Sequence, residues 1–87
     1  MIAWSEEKNE ILKRERGLSF EEAEAEIESG KVLAIVSHPT RENQMMYVIR
    51  LDDYVCNVPY VLDEEGNIFL KTIYKTRKGQ SRFGGQS

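Results

Sequence analysis

The stretch LSFEEAEAEIESGKVLAIVSH, residues 18–38, contains the change of periodicity on which the fold turns. In its first half Ser19 and Glu22 form an S-x-x-E capping box, and Leu18 is placed to staple against Ala23. Phe20, Ala23 and Ile27 fall on one face at helical spacing, with Glu21, Glu24 and Glu28 turned largely away. That glutamate run reads most simply as a solvated helix face. Gly30 ends the helix, and the chain beyond it becomes extended.

Upstream, residues 4–16 read as a first helix. Ser5 is its N-cap, glutamates occupy the first turn, and Lys13, Arg14 and Arg16 occupy the last. Gly17 suits the left-handed position that closes such a helix. Ile11 and Leu12 are expected to face the core, with Trp4 near the helix entrance.

Downstream, residues 31–38, 44–51, 54–62 and 67–75 are rich in Val, Ile, Tyr and Thr and read as strands. The breaks between them, HPTREN, DD and DEEG, are short enough for an antiparallel meander. The expected fold is α+β, with two N-terminal helices packed on one face of a four-stranded antiparallel sheet. Pro59 lies inside the third strand and calls for a bulge or an edge position there. Residues 1–78 are expected to form one domain, and the polar, glycine-rich residues 79–87 a flexible tail.

A chain of 87 residues has room for one modest core. Its longest apolar runs fall well short of the roughly 18 residues that span a bilayer. The start, MIAWSEEKNE, lacks the basic and apolar regions of a signal peptide, so a cytoplasmic protein without membrane association is expected. The single cysteine, Cys56, sits in an apolar strand and reads as a buried structural thiol. With one histidine in the chain, no zinc site is expected. Asp52 and Asp53 read as turn formers, not as metal ligands. Neither a metal nor another cofactor is expected.

Charge is unevenly distributed. The net charge is −3, yet residues 1–30 carry nine Glu against four Lys and Arg, while residues 66–87 carry five cations and no acid. Those cations are Lys71, Lys75, Arg77, Lys78 and Arg82. Strict alternation in the last strand puts Lys71 and Lys75 on one face, with Arg77 and Lys78 at its exit. If the helices cover the other face, this is a surface suited to a phosphate backbone. Tyr47, Tyr60 or Tyr74 can then stack on a base or bond to a phosphate. The plainer reading is that lysines protect a strand from edge aggregation and that tyrosines are ordinary sheet residues.

His38 precedes Pro39 in an expected turn, with Arg41 and Gln44 close behind. It is either a solvated turn histidine or an acid–base group working near neutral pH. No phosphate-binding loop, G-x-S-x-G, H-E-x-x-H or C-x-x-C motif occurs, which disfavours nucleotide hydrolases, serine hydrolases and metalloproteases. Metal-free RNA cleavage is compatible with the residues present. There the RNA supplies its own 2′-hydroxyl nucleophile, and the protein orients it, neutralises the phosphate and moves protons.

Two separated stretches, WSEEKNEILKRERGLSFEEA (4–23) and FLKTIYKTRK (69–78), together resemble the BrnT-type toxins. The first resembles the family's tryptophan, acidic and basic helix, glycine and S-F-E-E-A; the second resembles its basic final strand. The chain departs from the family pattern after Lys78. The resemblance implies a RelE-like fold and a ribonuclease that blocks translation as the toxin of a bacterial type II toxin–antitoxin pair. It also implies a cognate antitoxin, commonly a ribbon-helix-helix protein that takes the pair to operator DNA. On this reading Lys71 and Arg77 are the best phosphate contacts, and Arg50 joins them if it faces the same way. His38 and Tyr74 are chemical candidates by residue type. A non-catalytic module that uses the same fold to hold a protein or nucleic acid is the alternative.

Overall fold

The computed structural model describes residues 1–42 and 44–76. Arg77, Lys78 and the expected tail at 79–87 lie outside the described residues.

Both helices form where their caps direct. α1 spans Glu6–Arg16; the Ser5 hydroxyl accepts from the Lys8 backbone N–H at 3.2 Å, and Gly17 closes the helix at φ 66°. α2 spans Phe20–Glu28; the Ser19 hydroxyl accepts from the Glu22 N–H at 3.2 Å and donates to the Glu22 carboxylate at 3.0 Å. The two helices are joined by Asn9, which is fully buried. Its side-chain oxygen accepts from the Phe20 N–H and its NH2 donates to Glu21, both at 2.8 Å. A buried carboxamide is costly unless paired, and here it pairs one of the orphan donors at the start of α2.

The remaining elements form one sheet. The strands are β1 (Ile2–Trp4), β2 (Ala34–Ser37), β3 (Met45–Leu51), β4 (Tyr54–Leu62), β5 (Ile68–Leu70) and β6 (Tyr74–Lys75). The order is β1-β5-β4-β3-β2, with β6 also pairing with β4. The expected α+β class and the meander are present, but the sheet has six strands, not four. One extra strand is β1, which pairs in parallel with β5 through Ile2–Ile68 and Trp4–Leu70, so the first helix begins at Glu6 and not at Trp4. The other arises because the expected strand over 67–75 is broken in two.

Pro59 explains that break. β5 pairs with Tyr60, Val61 and Leu62, whereas β6 pairs with Cys56 and Asn57, leaving residues 71–73 to span Val58 and Pro59. Proline has no N–H to give the ladder, so regular pairing lapses opposite it. The neighbouring strand carries one extra residue at that point, while pairing of β4 with β3 runs through Pro59 without interruption. The Pro59 carbonyl still accepts from the Lys71 N–H at 2.8 Å. The extra residue reverses which side chains face the core: Leu70 and Ile73 are both buried there.

The helices cover one face of the sheet. Leu12, Leu18, Phe20 and Ala23 pack on Tyr47, Ile49, Cys56, Val58, Tyr60, Leu70 and Ile73, while Trp4 stacks on Phe20 with ring centroids 5.7 Å apart. The LDDY hairpin turns as expected, with Asp52 and Asp53 at φ 50° and 64°. Among the described residues no helix is long and apolar enough to cross a membrane.

Candidate functional site

The bend between β5 and β6 forms one wall of a cleft of about 230 Å³ on the sheet face opposite the helices. His38, Arg41, Gln44, Pro59, Lys71, Thr72 and Tyr74 line it. His38 and Arg41 arrive from the turn between β2 and β3, Lys71 and Thr72 from the bend, and Tyr74 from β6. Three of the four expected catalytic residues, His38, Lys71 and Tyr74, therefore meet here. Arg77, the fourth, lies outside the described residues.

Each side chain has an identifiable support. The His38 backbone N–H donates to Gln44 O at 2.9 Å, which closes the turn. Its imidazole Nδ1 accepts from the backbone N–H groups of Thr40 at 3.2 Å and Arg41 at 3.1 Å. The Tyr74 hydroxyl donates to the Met46 sulfur at 3.2 Å and accepts from the Asn57 side chain at 3.4 Å. Lys71 is exposed, its ammonium 5.5 Å from the Phe69 ring centroid. The Thr72 hydroxyl is buried and has no hydrogen-bond partner among the described residues.

Electrostatically the cleft is one-sided. Its charged lining groups among the described residues, Arg41 and Lys71, are both cations. A second hollow of about 460 Å³, bounded by Glu15, Arg16, Leu18, Tyr74 and Lys75, carries both signs of charge. No group of three or more His, Cys, Asp or Glu side chains that could hold a metal occurs among the described residues.

Other expected site residues lie elsewhere. Lys75 does not share a face with Lys71: it pairs with Cys56 on the helix-bearing side, its ammonium 4.4 Å from the Tyr54 ring centroid. The bulge opposite Pro59 is the cause, since one extra residue inverts the alternation. Arg50 is opposite Val55, four residues along β3 from Met46, roughly 13 Å at ordinary strand rise, and does not line the cleft. Lys78 lies outside the described residues. Tyr47 and Tyr60 are not available to stack on a base, because they are buried against each other in the core with centroids 4.2 Å apart. Burial pushes the Tyr47 hydroxyl pKa up, with the neighbouring Tyr60 adding to the effect. The Cys56 thiol is buried and its pKa is likewise raised by desolvation, as befits a structural cysteine.

Arg41 and Gln44 were visible in the sequence only as neighbours of His38, and Thr72 carried no signal at all. Their convergence depends on the pairing of β2 with β3 and on the bend at residues 71–73.

The fold and cleft define a small α+β protein with a cationic recess on the open face of its sheet. No family model matches the chain, and no curated protein matches it by sequence. Among solved structures it is similar to the Brucella abortus ribonuclease toxin BrnT, with a TM-score of 0.62 over 86% of this chain and 94% of that chain. Identity is 17%, so the likeness is one of fold: the chain has the BrnT toxin fold.

Proposed function

We propose that this chain is the toxin of a bacterial type II toxin–antitoxin pair, a metal-independent, cytoplasmic ribonuclease that blocks translation. The observation that carries this reading is the convergence of Lys71, Arg41, His38 and Tyr74 in one cleft on a BrnT-like fold. Lys71 and Arg41 neutralise the scissile phosphate, and Arg77 is the further cation that the BrnT resemblance implies for that role. The RNA 2′-hydroxyl attacks phosphorus, forming the new P–O bond as the bond to the 5′-oxygen breaks. The Tyr74 hydroxyl exchanges its bond to the Met46 sulfur for the departing 5′-oxygen and gives it a proton, while water takes the 2′ proton from the opposite side and solvent restores the proton of Tyr74, so the step balances. A cognate antitoxin, of the ribbon-helix-helix type, silences the chain by covering the same cations, and operator DNA is reached only through that complex.

A second reading is a non-catalytic module that holds an anionic partner in the same cleft. The observation in its favour is that the cleft's described lining contains no carboxylate and that His38 Nδ1 is already engaged.

Induction of the chain alone, beside a Lys71→Ala/Arg77→Ala variant at matched expression, separates the two. Growth arrest with RNA breakdown, both lost in the variant, is expected of the ribonuclease. Normal growth with intact RNA supports the module.

A further inference from the structure

We propose that His38 and Thr72 form a phosphate-oxygen site in the cleft, in which His38 is a fixed hydrogen-bond donor through Nε2 and not a proton-abstracting base. This deepens the ribonuclease reading and rests on it for the identity of the phosphate as that of RNA.

The first observation is the turn. Nδ1 of His38 accepts from two backbone N–H groups, those of Thr40 and Arg41. A nitrogen whose lone pair faces two donors does not itself carry hydrogen, so the proton of the neutral ring is on Nε2. That nitrogen is on the far edge of the ring from the turn, and His38 lines the cleft. Neither ring nitrogen then has a lone pair free to take a proton from a nucleophile. The hydrogen that the neutral ring has to offer an acceptor is then the one on Nε2.

The second observation is independent. Thr72 lines the same cleft, and its Oγ1 is buried without a partner among the described residues. Buried hydroxyls are nearly always hydrogen-bonded, so one that has no partner among the described residues can take an acceptor that a ligand brings. Together with the Arg41 and Lys71 cations, the Nε2–H and the Thr72 hydroxyl make a set dominated by donors. Its complement is a ligand with several acceptor oxygens and negative charge, which is the chemistry of a phosphodiester. The turn also ties the imidazole to the backbone of Arg41.

His38 is the sole histidine in the chain, so its ring can be observed directly. A long-range 1H–15N correlation spectrum of the full labelled chain, recorded on the alkaline plateau where the ring signals no longer move with pH, is expected to show a protonated Nε2 and a lone pair on Nδ1. A proton on Nδ1 overturns the proposal. Titration with inorganic phosphate is expected to move the Nε2 resonance. His38→Asn keeps an acceptor for the turn but loses the donor, and its phosphate affinity is expected to fall roughly tenfold. Thr72→Val, nearly isosteric, is expected to lose affinity severalfold. His38→Gln, which places an amide N–H near the position of Nε2, recovers part of the loss. Wild-type phosphate affinity in both His38→Asn and Thr72→Val, with the fold intact, overturns the assignment even if RNA is still cleaved. The predicted affinity losses in a chain that leaves RNA uncut support the site and count against the ribonuclease.

Discussion

The guanidinium of Arg16 donates to the carbonyl oxygen of Ile73 at 2.6 Å, fastening the last turn of α1 to the bend between β5 and β6. That bend carries Lys71 and Thr72 and leads directly into Tyr74, so a helix on one face of the sheet holds the wall of a cleft on the other. Arg16→Ala is expected to cost about 1.5–3 kcal/mol in urea unfolding, the usual range for a hydrogen bond from a charged donor. RNA cleavage at a temperature where the variant is still folded is expected to fall at least severalfold, because the bend loses its anchor. Unchanged cleavage would show that the bend is held by its other contacts.

Asn9 makes a second prediction. Asn9→Ala leaves the buried Phe20 N–H without its partner and removes the side-chain hydrogen bonds of Asn9 that join α1 to α2. Urea denaturation is expected to show a loss of about 1–3 kcal/mol, the penalty for an unsatisfied buried group. A loss of only a few tenths would mean that water replaces the carboxamide.

The turn between β4 and β5 gives a pH-dependent outcome. The side chain of Asn67 donates to Asp63 at 3.0 Å, and the backbone N–H groups of Glu65 and Asn67 donate to the same carboxylate at 2.8 Å. These bonds, that of the Asn67 side chain foremost, hold the Asp63 pKa below the ordinary carboxylate value. A folded-state pKa lowered in this way contributes stability that is present above the unfolded value of about 3.9 and is lost as pH falls through the folded value. Asp63→Asn is therefore expected to be less stable than the parent at neutral pH, with the two urea midpoints converging under acid. A difference that stayed constant down to the acid limb would contradict this.

Lys75 separates the cleft from the general basicity of the last strand. It is on the helix-bearing side, so Lys75→Ala is expected to cleave RNA within about twofold of the parent while Lys71→Ala loses at least tenfold, the scale of one lost charge-assisted contact. Equal losses in an assay at several salt concentrations would point to diffuse phosphate attraction instead.

What could be read from the sequence was local. Ser5, Ser19 and Gly17 announce the helix ends because capping is settled within four residues, and the helix-then-strand order follows from periodicity alone. β1 was invisible because Ile2, Ala3 and Trp4 become a strand only by pairing with residues near position 69, and three residues have no period of their own. Pro59 was legible as a disturbance, but not as one displaced onto the neighbouring strand. That displacement turns Lys75 to the helix-bearing side, against strict alternation, and brings Thr72 to the cleft. His38 was singled out for its chemistry, whereas its tautomer depends on two backbone N–H groups that only the folded turn brings to Nδ1.

In the proposed function the cleft cuts RNA without metal. The most direct measurement is incubation of the purified chain with a synthetic RNA in excess EDTA, beside Lys71→Ala and an RNA with 2′-deoxy sugars at the cut positions. Cleavage that persists in EDTA, leaves 2′,3′-cyclic phosphate and 5′-hydroxyl ends, and disappears with either change is the predicted result. RNA that stays intact, or that is cut equally well by Lys71→Ala, would contradict it.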